Sequence, residues 1–343
     1  MTNIIQDQRG DMTAIYPMLF QPVYKNYIWG GNALAKYGRS FPDGRPVAES
    51  WEISSHEDGM TPILNGVFAG KNLQEVLQIL GEELIGWNNH WALERKKFPW
   101  MVKLIDADQN LSVQVHPDDA YALQNEANEL GKYEMWIILD AKPEAGVVYG
   151  LNEKLSQEEL KQAVLDGCLE AYLHRLSIQP GDHICVPAGT LHAIMEGTVI
   201  VEIQQNSNTT YRVFDWNRLG ADGKPRDLHV DKALEVINLD QINLSLPHPE
   251  RLIETENMVC ERLCQNAYFT TDRYHLNGPV QFSGECDGST LEIWGVIQGE
   301  AEIAGQHLSG IQFVLLPAKL GNYDVVAKEN VILLRTHKPT EYG

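Results

Sequence analysis

The 343-residue chain is 43% hydrophobic and 22% charged, with moderate glycine and proline, which marks a soluble globular protein of about two domains rather than a fibrous or disordered one. Its formal net charge of −20 argues against nucleic acid and anionic membrane as partners, and no apolar run approaches the ~20 residues that cross a bilayer. An anionic substrate would need a local cluster of lysine or arginine to overcome that field.

The opening MTNIIQDQRGDM is polar, lacks the basic-then-apolar layout of a secretion signal, and reads as a loose N-terminal extension. Short β-type runs follow at 47–54, 99–105, 111–116, 133–139, 146–149, 183–187, 199–205 and 210–214, with several more between 268 and 336. Gly, Asn, Asp and Pro punctuate them. Three helices stand among the strands. LQEVLQIL (73–80) places Leu73, Val76, Leu77 and Leu80 at helical spacing. PDDAYALQNEANELG (117–131) opens on Pro117 and two acids and closes at Gly131. SQEELKQAVLDG (156–167) has Ser156 and Glu159 in capping-box spacing and ends at Gly167. LDQINLSLPHPER (239–251) reads as a linker. Beyond it, LEIWGVIQGEAEIAG (291–305) reads as a hairpin and QFVLLPAKLGNYDVV (312–326) as another pair of strands. Many short strands with few helices imply a mainly β barrel or jelly roll with helical insertions, divided near residue 250. The five cysteines (Cys168, Cys185, Cys260, Cys264, Cys286) repeat no metal-binding spacing, so reduced thiols in a cytoplasmic protein are expected.

The chemistry starts in LSVQVHPDD (111–119). Alternation puts Ser112, Gln114 and His116 on one face of a strand, and in KYEMWII (132–138) it puts Lys132, Glu134 and Trp136 together. A solvated strand face would show the same pattern. GDHICVPAGTLHAI (181–194) is more specific: a Gly-Asp turn, a strand to Val186, a Pro187-x-Gly189 turn, then His192. In EIQQNSNTTYR (202–212), a hairpin tip at Asn206–Asn208 would set Glu202 opposite Arg212, either as a catalytic acid–base pair or as an ordinary cross-strand ion pair. Lys103 lies in the apolar run WMVKLI, where a lysine needs a partner, a job or a route to solvent.

The Pro-x-Gly-x2-His stretch resembles the second motif of the cupin superfamily, in which that histidine is a metal ligand. Gln114-x-His116, Lys132-x-Glu134 and the stretches AESWEIS (48–54), FPWMVKLIDA (98–107), PAGTLHA (187–193) and EIQQNSNTTYRVFDWNR (202–218) together resemble the type I mannose-6-phosphate isomerases in their short bacterial form, over most of residues 20 to 235. The resemblance implies a cupin-type jelly-roll catalytic domain over 1–250 and a degenerate, metal-free second β-barrel over 251–343, where Leu320 stands in place of a ligand histidine. It implies one Zn2+ per chain held by Gln114, His116, Glu134 and His192. Two imidazoles, a carboxylate and an amide suit zinc better than calcium or magnesium, and one ligand charge leaves the site at about +1. It further implies that Arg212, Glu202 and Lys132 are catalytic, that Lys103 and Ser112 line the substrate cavity, and that the activity is interconversion of mannose 6-phosphate and fructose 6-phosphate through an enediol(ate). Glu49, Trp51 and Glu52 read as packing or support. His183 and Cys185 read as non-ligands, and His56, His174 and His229 as surface or structural. The charged loop 218–229 reads as solvated or as a rim to the site. A monomer or weak homo-oligomer acting on a phosphorylated hexose is expected. A non-haem iron cupin oxygenase and a non-catalytic sugar-binding cupin are the rival readings.

Overall fold

The computed structural model describes residues 3–6, 12–39, 44–219 and 223–338. The protein is mainly β, and the chain forms two compact units, each discontinuous in sequence: one of 24–50 and 102–247, the other of 1–23, 51–101 and 248–343.

The first unit is built on two antiparallel sheets. Its strands and their flanks are β1 (Val23–Lys25), β2 (Glu49–Ile53), β3 (Trp100–Ala107), β4 (Val113–Val115), β5 (Glu134–Ala141), β6 (Gly146–Leu151), β7 (Leu173–Ser177), β8 (His183–Val186), β9 (His192–Ile194), β10 (Thr198–Gln205) and β11 (Tyr211–Phe214). One sheet has the order β8–β5–β10–β3–β2–β1 and the other β11–β4–β9–β6–β7. Period-two alternation sorts each strand between two environments. Val113 and Val115 of β4 pack into a core with Leu160, Val164 and Ala233 of the covering helices, while Trp136, Ile138, Ile184, Tyr149, Ile194 and Ile200 fill the space between the sheets.

The helices follow their capping signals, with one shortfall. Helix α1 (Leu73–Leu80) has a full capping box between Asn72 and Glu75, and α3 (Gln157–Leu165) has one between Ser156 and Glu159. Helix α2 covers only Asp119–Asn125 of the expected 117–131. Asp118 caps it by accepting from the Tyr121 N–H at 2.8 Å, but Ala127 and Asn128 adopt left-handed backbone and end it early. Helix α4 (Val230–Val236) lies beyond β11.

In the second unit, β12 (Glu250–Glu254), β13 (Met258–Gln265), β14 (Thr270–Leu276), β15 (Val280–Cys286), β16 (Glu292–Gln298), β17 (Glu300–Ile303), β18 (Gln306–Ser309), β19 (Phe313–Leu316), β20 (Gly321–Ala327) and β21 (Val331–His337) form sheets of order β12–β13–β14–β21–β16–β19 and β15–β20–β17–β18. They share one core, which includes Trp294, Leu316, Leu320, Tyr323 and Leu333. The expected hairpin at 291–305 does not form, because β16 and β17 belong to different sheets. Gly299, with φ of 82°, carries the chain from one to the other. Residues 3–6 pair with 12–15, so that part of the N-terminal extension is not loose. Reduced thiols hold for Cys168, Cys260 and Cys286, but Cys185 and Cys264 are disulfide-bonded. Bonding needs spatial approach, which sequence spacing does not report.

Candidate metal centre and substrate cavity

The strand register assembles the site. On the five-stranded sheet, Gln114 of β4 stands opposite His192 of β9 on one side and Arg212 of β11 on the other. On the six-stranded sheet, Glu134 of β5 stands opposite Gln204, and Trp136 opposite Glu202, on β10. Both rows point into the space between the sheets, at the polar end of the inter-sheet core.

The Pro187–Gly189 turn sets the height of His192. Gly189 has φ of 82°, and a Cβ there would lie 2.8 Å from the Val236 carbonyl, so a side chain is excluded twice over. The Gly189 N–H donates to the His116 carbonyl at 2.9 Å and ties the turn to the other histidine.

His116, Glu134 and His192 form a buried group whose potential ligand atoms all lie within 4.8 Å of one another. The His116 Nδ1 lies 2.8 Å from the Thr209 carbonyl and the His192 Nδ1 2.9 Å from the Thr190 carbonyl. A carbonyl can only accept, so each Nδ1 carries the proton and each Nε2 presents a lone pair. Those Nε2 atoms lie 3.5 and 3.2 Å from the two Glu134 oxygens. The Gln114 amide reaches the same place, its Nε2 3.2 Å from the His192 Nε2. Burial lowers the pKa of His116 well below that of a free imidazole, helped by the charge of Lys132, and takes His192 down to about 4. Both rings are therefore neutral near pH 7. Neutral imidazoles facing a fully buried carboxylate are a donor set that fits a divalent cation.

Beside it lies a cavity of about 290 Å³. Lys103, Ser112, Gln114, Lys132, Glu202 and Arg212 all line it, as does Glu49. Lys132 lies 2.8 Å from the Glu134 Oε2 and 3.7 Å from the Glu202 Oε1, and Lys103 lies 3.5 Å from that same Glu202 atom and 3.7 Å from Glu49. The Trp136 indole donates to the Glu202 Oε2 at 3.2 Å. Burial pushes the Glu202 carboxyl up, but Lys132 and Lys103 outweigh it and hold the group below its ordinary range. In Glu134 burial and the Glu202 charge win, and the pKa rises. Burial works against the charge on Lys132, but Glu134 and Glu202 overcome it and keep the ammonium protonated.

Glu202 and Arg212 meet at the cavity, though not as cross-strand neighbours. The expected hairpin fails because β10 and β11 belong to different sheets. The Gln204 amide bonds the Gln205 and Ser207 carbonyls, both at 2.6 Å, and shapes the crossing between them. The sequence reading missed Tyr27, Trp29, Asn208 and Thr210 of the cavity wall. Arg226 also lines the cavity, so of the two readings of the charged loop 218–229 it is the rim that this residue meets. His229 also has a part: its Nδ1 accepts from the Arg212 backbone N–H at 3.1 Å. His183 and Cys185 lie on β8, outside the metal-capable group.

A model of the phosphomannose isomerase type I catalytic domain matches residues 18–150, which hold Gln114, His116 and Glu134. The chain is 37% identical, over 90% of its length and 95% of the relative's, to the mannose-6-phosphate isomerase ManA of Bacillus subtilis. The chain belongs to the type I phosphomannose isomerase family. A Streptococcus mutans mannose-6-phosphate isomerase is 38% identical over 77% of this chain and 80% of its own. The crystal structure of a Bacillus subtilis mannose 6-phosphate isomerase superposes with a TM-score of 0.82 at 33% identity, covering 94% of this chain and 99% of that one. The apo enzyme from Salmonella typhimurium, at 16% identity and a TM-score of 0.70, shares the fold. His192, Glu202 and Arg212 lie beyond the matched residues 18–150; strand register sets His192 and Arg212 on either side of Gln114, and Glu202 and Arg212 line the cavity.

Proposed function

We propose that this chain is a zinc-dependent mannose-6-phosphate isomerase, with the ion held by Gln114, His116, Glu134 and His192. The supporting observation is the convergence of two imidazole lone pairs on the buried Glu134 carboxylate, next to Gln114 and Lys132 of a cation-lined cavity. A divalent ion there would supply the positive charge that an enediolate oxygen needs.

The chain's own residues carry the protons. Glu202, kept ionised by two lysines, is the group that takes the C2 proton of mannose 6-phosphate. The C2–H electrons form the C1=C2 bond and the C1=O pair moves onto O1 to give an enediolate. In the second half the O2–H proton passes to O1, the C2 carbonyl forms, and Glu202 returns its proton to C1. Electrons balance within the sugar, so no external oxidant is required. Lys132 and Arg212 offset the developing charge on oxygen, while Lys103 and Ser112 bind the sugar.

The test is direct. Purified protein is mixed with mannose 6-phosphate, with and without a chelator, and fructose 6-phosphate is measured. Turnover that chelation abolishes and zinc restores is the expected result. Failure of the zinc-loaded protein to turn over would refute the reading.

A further inference from the structure

Asp215 follows β11 directly and is 6% exposed. Two arginines of the succeeding loop converge on it. Arg218 donates to Oδ1 through Nε at 3.1 Å and Nη2 at 2.8 Å. Arg226 forms the better fork, with Nε to Oδ2 at 2.8 Å and Nη2 to Oδ1 at 2.5 Å. Burial pushes the Asp215 carboxyl up, but the two guanidiniums outweigh it and keep it ionised.

The arginines differ in where they stand. Arg226 lines the cavity, and Arg218 is not among the lining residues. Next to Arg226 on the wall is Arg212, whose Nη1 donates to the Asp227 carbonyl at 2.7 Å and whose buried Nε has no hydrogen-bond partner. Burial weakens the hold of Arg212 on its proton, and the like charge of Arg226 weakens it further. The three guanidiniums outnumber the carboxylates of Asp215 and Asp227. Elsewhere on the wall, Lys103 and Lys132 each lie close to two glutamates. Excess positive charge therefore collects at the arginine side.

We propose that Asp215 is a positioning residue for substrate recognition: it holds Arg226 against the cavity wall, where that guanidinium, beside Arg212, receives the phosphate of the sugar. The inference rests on the isomerase reading. A sugar phosphate carries about −1.5 to −2 charges at pH 7, and a fixed guanidinium fork matches its oxygens better than a freely rotating cation. Asp215 itself is not among the residues that line the cavity. Its effect is to remove the entropy that Arg226 would otherwise lose on binding.

The experiment compares zinc-loaded wild type with Arg226→Ala, Arg218→Ala and Asp215→Asn. Wild-type turnover is measured first; its absence would sink the isomerase reading, so the inference is judged only against an active parent. Losing one charged hydrogen-bonding group should raise KM for mannose 6-phosphate about 10- to 100-fold in Arg226→Ala, with kcat within about threefold. The inhibition constant of inorganic phosphate should rise in parallel. Asp215→Asn should move both constants in the same direction by less, and Asp215→Glu should recover part of the loss. Arg218→Ala breaks the same ion cluster but should leave KM near the wild-type value. If Arg226→Ala leaves KM unchanged, the proposal is wrong. It is equally wrong if Arg218→Ala raises KM as much as Arg226→Ala does, since the cluster would then serve only to brace the loop. Those two outcomes decide the matter even if the Asp215 variants do not fold.

Discussion

Replacing Glu202 by glutamine separates proton transfer from everything else this residue touches. The amide side chain has nearly the same shape as the carboxylate, and its oxygen can still accept from the Trp136 indole, now 3.2 Å from the Glu202 Oε2. The lost charge would leave Lys103 with Glu49 at 3.7 Å and Lys132 with Glu134 at 2.8 Å, so neither buried cation is stranded. The stability cost should thus fall below the ~3–5 kcal/mol of a broken buried pair. A positioned general base contributes about 10²- to 10⁴-fold, or roughly 3–5 kcal/mol of barrier. The zinc-loaded variant should therefore lose that factor in kcat while KM moves only a few-fold. Its metal content should match wild type, because Glu202 is outside the His116, Glu134 and His192 group. Stopped-time conversion of mannose 6-phosphate with parallel metal analysis reads all three quantities. A kcat within about threefold of wild type at full metal content would show that another group carries the proton.

Three further expectations follow from the geometry. His192→Ala should abolish stoichiometric zinc binding, whereas Gln114→Ala, which keeps both imidazoles and the carboxylate, should weaken it by about 10–100-fold, as loss of a supporting ligand partner does; dialysis against graded zinc distinguishes the two, and equal affinities would remove Gln114 from the ligand set. In chelated protein, His192 titrates at about 4 when folded and near 6.5 when unfolded. Its contribution to stability is therefore whole above the unfolded value and is lost as pH falls toward the folded one, a change of up to ~3 kcal/mol that thermal melts at pH 7.5 and 5 would register and that His192→Gln should reduce. In the second unit, Glu292 is 2% exposed and accepts from Arg335, Tyr323 and Trp294 at 2.5–2.9 Å. Glu292→Ala should cost about 3–5 kcal/mol, lowering the melting temperature by about 6–20 °C, with kcat at 25 °C unchanged for the folded fraction; calorimetry showing no shift would refute the assignment of that cluster as a stability element.

What the sequence made legible was whatever local chemistry dictates. The alternation in LSVQVHPDD placed Ser112, Gln114 and His116 together because a strand has a period of two, and Val113 and Val115 duly face the covering helices. The capping box of α3 was readable because Ser156 and Glu159 bond each other's backbone within one turn. Strand partnership was not readable. Both expected hairpins, at 202–212 and at 291–305, split between sheets, because pairing is decided by distant strands competing for the same edge. The Asp215–Arg226 fork was invisible for a related reason: its residues sit outside any periodic segment and eleven positions apart in the sequence. Of the metal-capable group, the histidine of the Pro-x-Gly turn was the most legible member, since the left-handed Gly189 leaves that turn few alternatives.

A chain of net charge −20 that takes a phosphorylated sugar poses an electrostatic problem, and the cavity shows how it is met. At physiological salt, surface charges are screened over about 8 Å, so the acidic exterior sets solubility more than it sets binding. The cavity wall has its own balance: Lys103, Lys132, Arg212 and Arg226 against Glu49 and Glu202. That excess is not uniform. The lysines are matched to glutamates and cannot grip a dianion without giving up those partners, which suits them to hold Glu202 ionised. Arg226, by contrast, is braced by the single carboxylate of Asp215. On the proposed roles, that division would set the charge that tunes Glu202 at one side of the cavity and, at Arg226, the charge that would receive the phosphate at the other. Moving one lysine's worth of charge from the first group to the second would raise affinity for the phosphate while letting the Glu202 carboxyl rise toward its protonated form, so binding and turnover would change in opposite directions.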